Sequence, residues 1–582
     1  MPNRFLTAVL LCLTLVVQTS IAQEGRQGRR DGQRQPAAQQ PPQGPGQPQT
    51  QPAPSQGEKP ADKPADKAGD RLVTTDHEIA ANGNSLRYRA TAGTLAMKDE
   101  SGKHKADVFF VAYEKRSDAD RDIKPDEKKP DEKKEDDKAA PDKTPAVKPP
   151  APNLRPVTFV FNGGPGAAAV WLHLGTAGPK RVRLAPEGEV PPPPYGLVDN
   201  ESTWLDATDL VFIDPVGTGY SRPAPGEARE QFHGVQEDIR WVADFIRLYT
   251  TRYNRWPSPK FLAGESYGTT RAAGLSEYLL DQHGINLNGI ILVSVVLDFG
   301  TISFGGGNDL PYALFLPSYT AAAHHHKKLP QDLQSDLKKA LAEAEQYALG
   351  EYLTVLAQGT AISPEQRAAA ARRIARYSGL REQDVEKAEL RVDPELFRTL
   401  LLEDRRQLIG RFDTRLTAYD RQLLRHDAEL DPSYSPYLAA YAGGFNDYVR
   451  RELRFESDLP YEVLTGRVQP WNFGQGGSGY TYTAQNLRNA MIKNPHLKIL
   501  VASGFHDLAT PFVGTKYTVD HLDVGPELRG NVTETFYAGG HMMYHRREAL
   551  EQLDRDVTEF IQRALGTRVG TAGADTKPPA AP

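Results

Sequence analysis

The chain has 582 residues, a formal net charge of −5 at pH 7 and 39% hydrophobic residues. This length allows several domains, although one domain with large insertions also reaches it. The near-balanced charge argues against a nucleic-acid-binding surface. The only cysteine, Cys12, lies in a segment that we expect to be removed. The mature chain is therefore predicted to have no disulfide, no thiol nucleophile and no cysteine-based metal site.

The first 22 residues have the pattern of a signal peptide. Arg4 supplies a positive charge, and residues 6–17 form an apolar run that is too short to span a bilayer. Residues 20–22, Ser-Ile-Ala, offer a cleavage site. An N-terminal membrane anchor is the alternative interpretation. We expect an exported protein, periplasmic or extracellular, with no stable membrane insertion after signal removal.

Three further stretches contain too few large apolar side chains to build a core. Residues 23–71 are rich in Pro and Gln and are predicted to be a disordered tether, because they cannot bury enough surface to offset the entropy of ordering. Residues 115–152 contain Lys-Pro-Asp-Glu-Lys-Lys twice and lie between two strand-like runs, which indicates a disordered charged loop within a sheet. The tail, residues 568–582, is also predicted to be disordered.

Between these stretches, strand-like runs alternate with helix-like runs. Residues 86–96 and 108–113 are predicted to form antiparallel leading strands. The later runs are largely apolar, which favours a mostly parallel sheet covered by helices on both faces. They comprise residues 157–161, 210–214, 259–263, 289–296 and 497–502.

Residues 301–465 have a different character and contain few strand-like runs. Their charged helical segments are predicted at 330–349, 364–377 and 393–412. We interpret the stretch as a helical cap inserted between two strands of the sheet. The remaining core is then divided into a first part, residues 72–300, and a second part, residues 466–567.

Three adjacent histidines, residues 324–326, lie near the start of this predicted cap. Adjacent side chains on a helix or strand cannot all face one ion. We interpret them as a helix start or a cap surface, and we expect neither a metal site nor a cofactor.

The chain is organised around the turn Gly264-Glu265-Ser266-Tyr267-Gly268. A strand-like run precedes it, and a helix is predicted after it over residues 269–280. A G-x-S-x-G turn between a strand and a helix places its serine on a strained, exposed corner. Both glycines are needed because a Cβ there would collide with the crossing chain. Ser266 is therefore a candidate nucleophile.

A serine hydroxyl is a poor nucleophile until a base takes its proton, and that base needs an acid to fix its tautomer. In this kind of sheet the expected order is Ser, then Asp or Glu, then His, at the carboxyl ends of strands. Asp507 follows the strand-like run 497–502, and His541 follows two glycines. The competing candidates are Asp298 for the acid and His506 and His545 for the base.

An oxyanion hole needs backbone N–H donors aimed at the developing negative charge. Tyr267, the residue after the candidate nucleophile, is expected to supply one. A glycine-rich loop after an early strand normally supplies the other, and residues 162–166, Asn-Gly-Gly-Pro-Gly, form such a loop. We assign the second donor to Gly164. A plain turn after a strand is the alternative for this loop.

Five motifs together resemble the serine carboxypeptidases, peptidase family S10, and the match looks most similar to bacterial members. They are residues 162–166, 213–221 (Ile-Asp-Pro-Val-Gly-Thr-Gly-Tyr-Ser), 264–268, 504–511 and 540–542 (Gly-His-Met). The resemblance implies an α/β-hydrolase fold with a cap insertion. It also implies a peptide substrate whose C-terminal residues are released by a triad of Ser266, Asp507 and His541.

The resemblance also assigns Asn162, Gly163 and Glu265 to binding of the substrate's terminal carboxylate. Two carboxyl groups can face each other only if they share a proton, so the pKa of Glu265 should be raised. Peptide binding is then expected to be best at mildly acidic pH.

The sequence departs from the family pattern at three positions. Val160 stands where fungal and plant members have a tryptophan, and Ala167 stands where they have a cysteine. Thr176 stands where they have a second carboxylate-binding glutamate. The carboxylate clamp is thus weaker than in those members, which bears on exopeptidase specificity and on the pH optimum.

Two rival functions remain open. One is an esterase or acyltransferase that uses the same three residues, because a fold does not fix its substrate. The other is a non-catalytic binding protein on the same scaffold. The sequence does not reveal the side-chain preference or the oligomeric state.

Overall fold

The computed structural model describes residues 69–81, 83–116, 153–419, 431–474 and 479–566. The predicted signal peptide and tail lie outside these ranges, as do nearly all of the predicted tether and charged loop. No helix in the described part of the chain is long and apolar enough to cross a bilayer.

Fourteen strands are described. They are β1 (Arg71–Ala81), β2 (Asn84–Lys98), β3 (His104–Lys115), β4 (Val157–Phe161), β5 (Lys180–Val182), β6 (Leu197–Asp199), β7 (Asp209–Ile213), β8 (Arg222–Pro223), β9 (Lys260–Ser266), β10 (Gly289–Val295), β11 (Gln407–Ile409), β12 (Thr417–Tyr419), β13 (Lys498–Gly504) and β14 (Val532–Tyr537).

Ten of these strands form one sheet, with β8 paired to β3 beside the path β1-β2-β3-β7-β4-β9-β10-β13-β14. The pairs from β7 to β14 are parallel. The pairs among β1, β2, β3 and β7 are antiparallel. This strand order, with helices on both faces, is that of the α/β-hydrolase fold, and the predicted mostly parallel sheet is confirmed.

Strand β4 illustrates why a strand in the middle of this sheet is mostly apolar, with Thr158 as its one polar residue. Val157, Phe159 and Phe161 enter the hydrophobic core on one face of the sheet. Val160 enters the core on the other face. Alternate side chains of a strand point to opposite faces, so a strand covered on both sides is apolar on both. The buried Thr158 hydroxyl is hydrogen-bonded to the Thr208 hydroxyl at 2.8 Å.

The first strand was missed by the sequence reasoning. β1 pairs with β2 in one unbroken antiparallel register from Arg71 to Ala81. Most of its side chains are exposed or half-buried, so it lacks the apolar signal of a core strand. Backbone hydrogen bonding to a predicted strand, rather than side-chain burial, accounts for its position.

The described residues also form fifteen α-helices. They are α1 (Val170–Leu172), α2 (Val235–Arg252), α3 (Tyr267–His283), α4 (Leu310–His325), α5 (Gln331–Gln334), α6 (Leu337–Tyr347), α7 (Leu353–Gln358), α8 (Pro364–Ser378), α9 (Glu382–Lys387), α10 (Pro394–Leu400), α11 (Ser435–Arg451), α12 (Ala484–Lys493), α13 (Phe512–Asp520), α14 (Pro526–Arg529) and α15 (Arg547–Ala564).

Helices α4 to α10 build a separate hydrophobic cluster between β10 and β13 in the sequence. Helix α8 begins with a capping box, in which Ser363 and Gln366 exchange side-chain to backbone hydrogen bonds. Helix α11 differs because Tyr437, Tyr441 and Phe445 pack in the main core beside the sheet strands.

Two local predictions in this region were wrong. The helix predicted at 393–412 ends at Leu400, because the chain turns through Arg406 in a left-handed conformation (φ 54°) and then forms β11, which pairs with β12. The three histidines lie at the C-terminal end of α4 and not at a helix start, so the alternative of a cap surface stays a prediction. No group of three or more potential ligands within the described ranges could hold a metal ion.

A buried ion pair fixes the end of the sheet opposite the carboxyl ends of its parallel strands. The Asp209 carboxylate lies 2.8 Å from Nη1 of Arg255, and both residues are almost fully buried. Arg255 also donates to Ser258 Oγ and to the Arg155 carbonyl oxygen, both at 2.8 Å. These contacts join the start of β7 to the loops before β4 and β9.

Replacing Asp209 with alanine should lower the free energy of unfolding by about 3 kcal/mol, because the Arg255 guanidinium would stay buried without its main counter-charge. Urea denaturation followed by circular dichroism measures the change. Asp447→Ala is the control, because it removes an exposed pair with Arg451 and should cost less than about 1 kcal/mol. Equal losses in the two variants would contradict this role for the buried pair.

Candidate active site

A cleft of about 360 Å³ opens at the carboxyl ends of the parallel strands. Ser266 ends β9, and the loops after β4, β13 and β14 also reach the cleft. Its lining residues include Asn162, Gly163, Gly164, Glu265, Ser266, Tyr267 and His541. Seven of the eight predicted site residues thus line one cavity, and the eighth, Asp507, lies behind His541.

Ser266 has the strained backbone expected at this kind of turn, with φ 60° and ψ −130°. A Cβ on Gly264 would lie 2.3 Å from the Gly268 carbonyl oxygen, and one on Gly268 would lie 3.0 Å from the Phe161 carbonyl oxygen. Gly264 must therefore be glycine where the strand meets the helix, and Gly268 has little room for a side chain against the end of β4. The serine is left half-exposed in the cleft.

Asp507 orients His541. The Asp507 Oδ2 atom lies 2.8 Å from Nδ1 of His541. The same carboxylate accepts hydrogen bonds from the N–H groups of Ala509 (2.7 Å) and Thr510 (3.0 Å) and from the Thr510 hydroxyl (2.7 Å). Because the carboxylate holds Nδ1, the Nε2 atom of the imidazole is available to a group in the cleft.

The environment of His541 has opposing effects on its pKa. Burial lowers the pKa, but the charge and hydrogen bond of Asp507, with a further contribution from Glu265, raise it above its ordinary value. The positive charge of Arg411 lowers the pKa of His541. A base that readily holds a proton beside a buried carboxylate suits proton transfer from a serine.

The competing residues have other structural roles. Asp298 accepts a hydrogen bond from the Gly300 N–H at the start of a short helical turn. His506 contacts the Thr414 hydroxyl, and His545 contacts the Tyr441 hydroxyl. Burial lowers the pKa of each histidine to about 3. None of the three residues lines the cleft.

The loop after β4 packs directly on the serine turn. A Cβ on Gly163 would lie 2.4 Å from the Tyr267 nitrogen, so only glycine permits this approach. Gly164 follows with φ 98°, a conformation that favours glycine. The loop thereby brings Gly164 and Tyr267, the two expected N–H donors, to the same cavity.

Glu265 is buried beside the serine, and burial raises its pKa to about 7. Its Oε2 accepts a hydrogen bond of 2.6 Å from the Tyr544 hydroxyl, and the Tyr544 and Asn162 side chains both act to lower the raised pKa. Asn162 is itself fixed, because its Oδ1 accepts from the Leu172 N–H at 3.0 Å. Glu265 is therefore held in a fixed position whether or not it carries a proton.

Thr176 lies in the buried helical turn His173–Ala177 and does not supply a second carboxyl group. It is fully buried, and its hydroxyl has no hydrogen-bond partner among the described residues. A Cβ on the preceding Gly175 would meet the Tyr544 ring at 2.3 Å. Tyr544 thus packs against this helical turn and supplies the phenol that contacts Glu265.

Sequence reasoning missed three residues of the site. Tyr544 and Thr510 each lie within three residues of a predicted site residue, so proximity in sequence was the available signal. Arg411 also lines the cleft, but it comes from the helical insertion. No local pattern marks it, because only tertiary packing brings it to the serine.

Tyr544→Phe is expected to raise the pKa of Glu265 above about 7. The phenol donates a hydrogen bond to the carboxyl group and thereby favours its ionised form, so its loss should favour the protonated form. Infrared difference spectroscopy of the carboxyl band across pH 5–9, with Glu265→Gln to assign the band, measures this pKa. An unchanged or lowered pKa in Tyr544→Phe would contradict the assigned hydrogen bond.

Comparison with known proteins gives a family match. The serine carboxypeptidase model, Peptidase S10, matches residues 146–542. Serine carboxypeptidase-like 51 of Arabidopsis thaliana is 32% identical over 148 residues, which are 24% of this chain and 29% of that protein. The pheromone-processing carboxypeptidase KEX1 of Coprinopsis cinerea is 32% identical over 117 residues, 19% of this chain and 17% of that protein. These matches span less than a third of either relative.

Among solved structures, an open-form lipase has a TM-score of 0.33 and 13% identity, with 84% of this chain and 99% of that chain covered. A thermostable carboxyl esterase from Bacillus coagulans, in complex with glycerol, has a TM-score of 0.30 and 12% identity, with 81% and 98% covered.

Proposed function

Because the chain belongs to the serine carboxypeptidase family, we propose that it hydrolyses C-terminal residues from peptides through an acyl-enzyme on Ser266. The observation that carries the proposal is the 2.8 Å contact of Asp507 with His541 Nδ1, in a cleft that Ser266 also lines. An alcohol, an imidazole and a buried carboxylate in this order form the elements of nucleophilic acyl transfer.

In the proposed reaction, His541 Nε2 removes the proton from Ser266 Oγ as that oxygen attacks the last peptide carbonyl. The new C–O bond gives a tetrahedral oxyanion, and the C–N bond then breaks as His541 passes its proton to the leaving amine. Water, deprotonated by the same imidazole, hydrolyses the ester. Asp507 keeps the tautomer and stabilises the imidazolium without taking its proton.

We assign the oxyanion hole to the backbone N–H groups of Gly164 and Tyr267. The approach of the β4 loop to Tyr267, which requires glycine at Gly163, supports this assignment. Donors fixed before the reaction need no reorganisation when the charge develops, and one such donor is typically worth a factor of about 10² to 10³ in kcat.

We propose that Asn162, Gly163 and Glu265 bind the terminal carboxylate of the substrate. Protonated Glu265 can donate a hydrogen bond to that carboxylate, whereas ionised Glu265 repels it. The raised pKa of Glu265, about 7, supports this pairing over a wider pH range than an ordinary glutamate would allow.

Ser266→Ala should abolish labelling by a fluorophosphonate probe and lower peptide hydrolysis by about 10⁴-fold or more. Hydrolysis is followed by mass spectrometry of a peptide mixture, in which the wild-type chain should remove residues stepwise from the C-terminus. Ser276→Ala, on the helix after the turn, is the control and should keep both properties. Labelling that persists in Ser266→Ala, or cleavage within the peptides, would refute the proposal.

Free-acid peptides should bind better than their C-terminal amides at pH 5, and this preference should fall as the pH rises through about 7. The sign follows from Glu265, which is protonated and donating below its pKa and ionised and repelling above it. The ratio of kcat/KM for each acid–amide pair between pH 5 and 8.5 measures the effect. Equal turnover of acid and amide at pH 5 would refute the role of Glu265.

An esterase or acyltransferase is the second candidate. Thr176 favours it, because the clamp has one carboxyl group where fungal and plant members have two. Rates on a blocked dipeptide and on an acyl ester discriminate between the two activities. A non-catalytic binding role has less support, because the residues for nucleophilic catalysis are retained.

We further propose that the protein is exported to the periplasm or beyond the cell, that its catalytic core is interrupted by a cap at residues 301–465, and that bacterial family members are its nearest relatives. The N-terminal sequence supports the first point. The helices α4 to α10 between β10 and β13 support the second, and the five sequence motifs support the third.

A further inference from the structure

Arg411 is the only lysine or arginine among the described residues that line the cleft. Its guanidinium carbon lies 5.3 Å from the centre of the Phe412 ring. Across the described ranges, no hydrogen bond or ion pair engages its side chain. A half-buried cation that faces a binding cleft without a partner can receive an anionic ligand.

The backbone around Arg411 is fixed to the loops that carry the proposed catalytic residues. The Arg411 carbonyl oxygen accepts from the Leu508 N–H at 3.0 Å, and the Phe412 carbonyl oxygen accepts from the His541 N–H at 2.5 Å. The Thr414 N–H donates to the His506 carbonyl oxygen at 3.1 Å. A Cβ on Gly540 would lie 2.1 Å from the Phe412 oxygen. Arg411 is therefore positioned by the same loops as the triad.

The neighbouring charges leave the Arg411 guanidinium available. Asp431 accepts hydrogen bonds from the Arg411 backbone N–H and from Ser433. Asp413 is paired with Arg415, its Oδ2 lying 2.6 Å from Nη2. Within the cleft, the other titratable side chains closest to the chemistry are Glu265 and His541. Arg411 lowers the pKa of His541, so its charge acts on the reacting groups.

We infer that Arg411 binds a carboxylate of the peptide's C-terminal residue. The inference rests on the proposed function, because it names the substrate group that the same cleft receives. A guanidinium attracts a carboxylate at every physiological pH, whereas Glu265 repels it once ionised. Arg411 thus extends recognition of free-acid peptides above the pKa of Glu265.

The carboxylate has two sources, the main-chain terminus and an aspartate or glutamate side chain. Calorimetric titration at pH 8 separates them, with four blocked dipeptides that end in Leu, Leu-amide, Glu-amide and Gln-amide. The full chain carrying Ser266→Ala is used so that the ligands stay intact. A terminal carboxylate on Arg411 predicts that the Leu acid binds about tenfold tighter than the Leu amide. A side-chain carboxylate predicts the same preference for Glu-amide over Gln-amide.

Arg411→Gln, added to the same chain, should reduce the relevant preference to less than about twofold, and Arg411→Lys should retain part of it. Arg372→Gln is the matched control, because it removes the same charge from an exposed position on α8. It should leave both ratios unchanged.

Two results would overturn the inference. In the first, the Ser266→Ala chain that retains Arg411 prefers neither the Leu acid over the Leu amide nor Glu-amide over Gln-amide by twofold or more. This result can be obtained before any Arg411 variant is made. The other is a preference that persists in Arg411→Gln. Peptide hydrolysis by the chain with Ser266 intact is measured separately, so a failure of the proposed activity is distinguishable from a failure of this assignment.

Discussion

The site depends on backbone segments that approach one another more closely than any side chain would permit. The loop after β4 meets the serine turn at Gly163, the strand and helix of that turn cross at Gly264 and Gly268, and the segment from the helical insertion meets the histidine loop at Gly540. Each contact exists because a Cβ is absent. Backbone N–H groups can then face the cleft, which side chains would otherwise fill.

This close packing gives two buried carboxyl groups different properties. Asp507 accepts four hydrogen bonds, including one from His541, and these fix the orientation of its carboxylate. Glu265 accepts a hydrogen bond from Tyr544, but its burial dominates and raises its pKa to about 7. Environment therefore suits one group to orient a base and the other to share a proton with a substrate, as in other sites with paired carboxyl groups.

The helical region between β10 and β13 contributes residues directly to the site. Its segment from Arg411 to Thr414 is bonded to the loops after β13 and β14, and Phe412 lies 5.1 Å from the His541 ring. The position of the proposed base is thus coupled to the packing of the insertion. A change within the insertion can alter the chemistry without touching the sheet.

The sequence by itself determined the sheet's parallel strands, the serine turn and the candidate residues around it. These features are local, because a strand buried on both faces is mostly apolar and a tight strand-to-helix turn favours glycine. The sequence did not reveal β1, whose side chains are mostly not buried, or the early end of the helix near Leu400. Only the tertiary structure decided that Asp507 rather than Asp298 faces His541, and that Tyr544 and Arg411 reach the same cleft. Those contacts join residues that are distant in sequence, and packing rather than local pattern sets them.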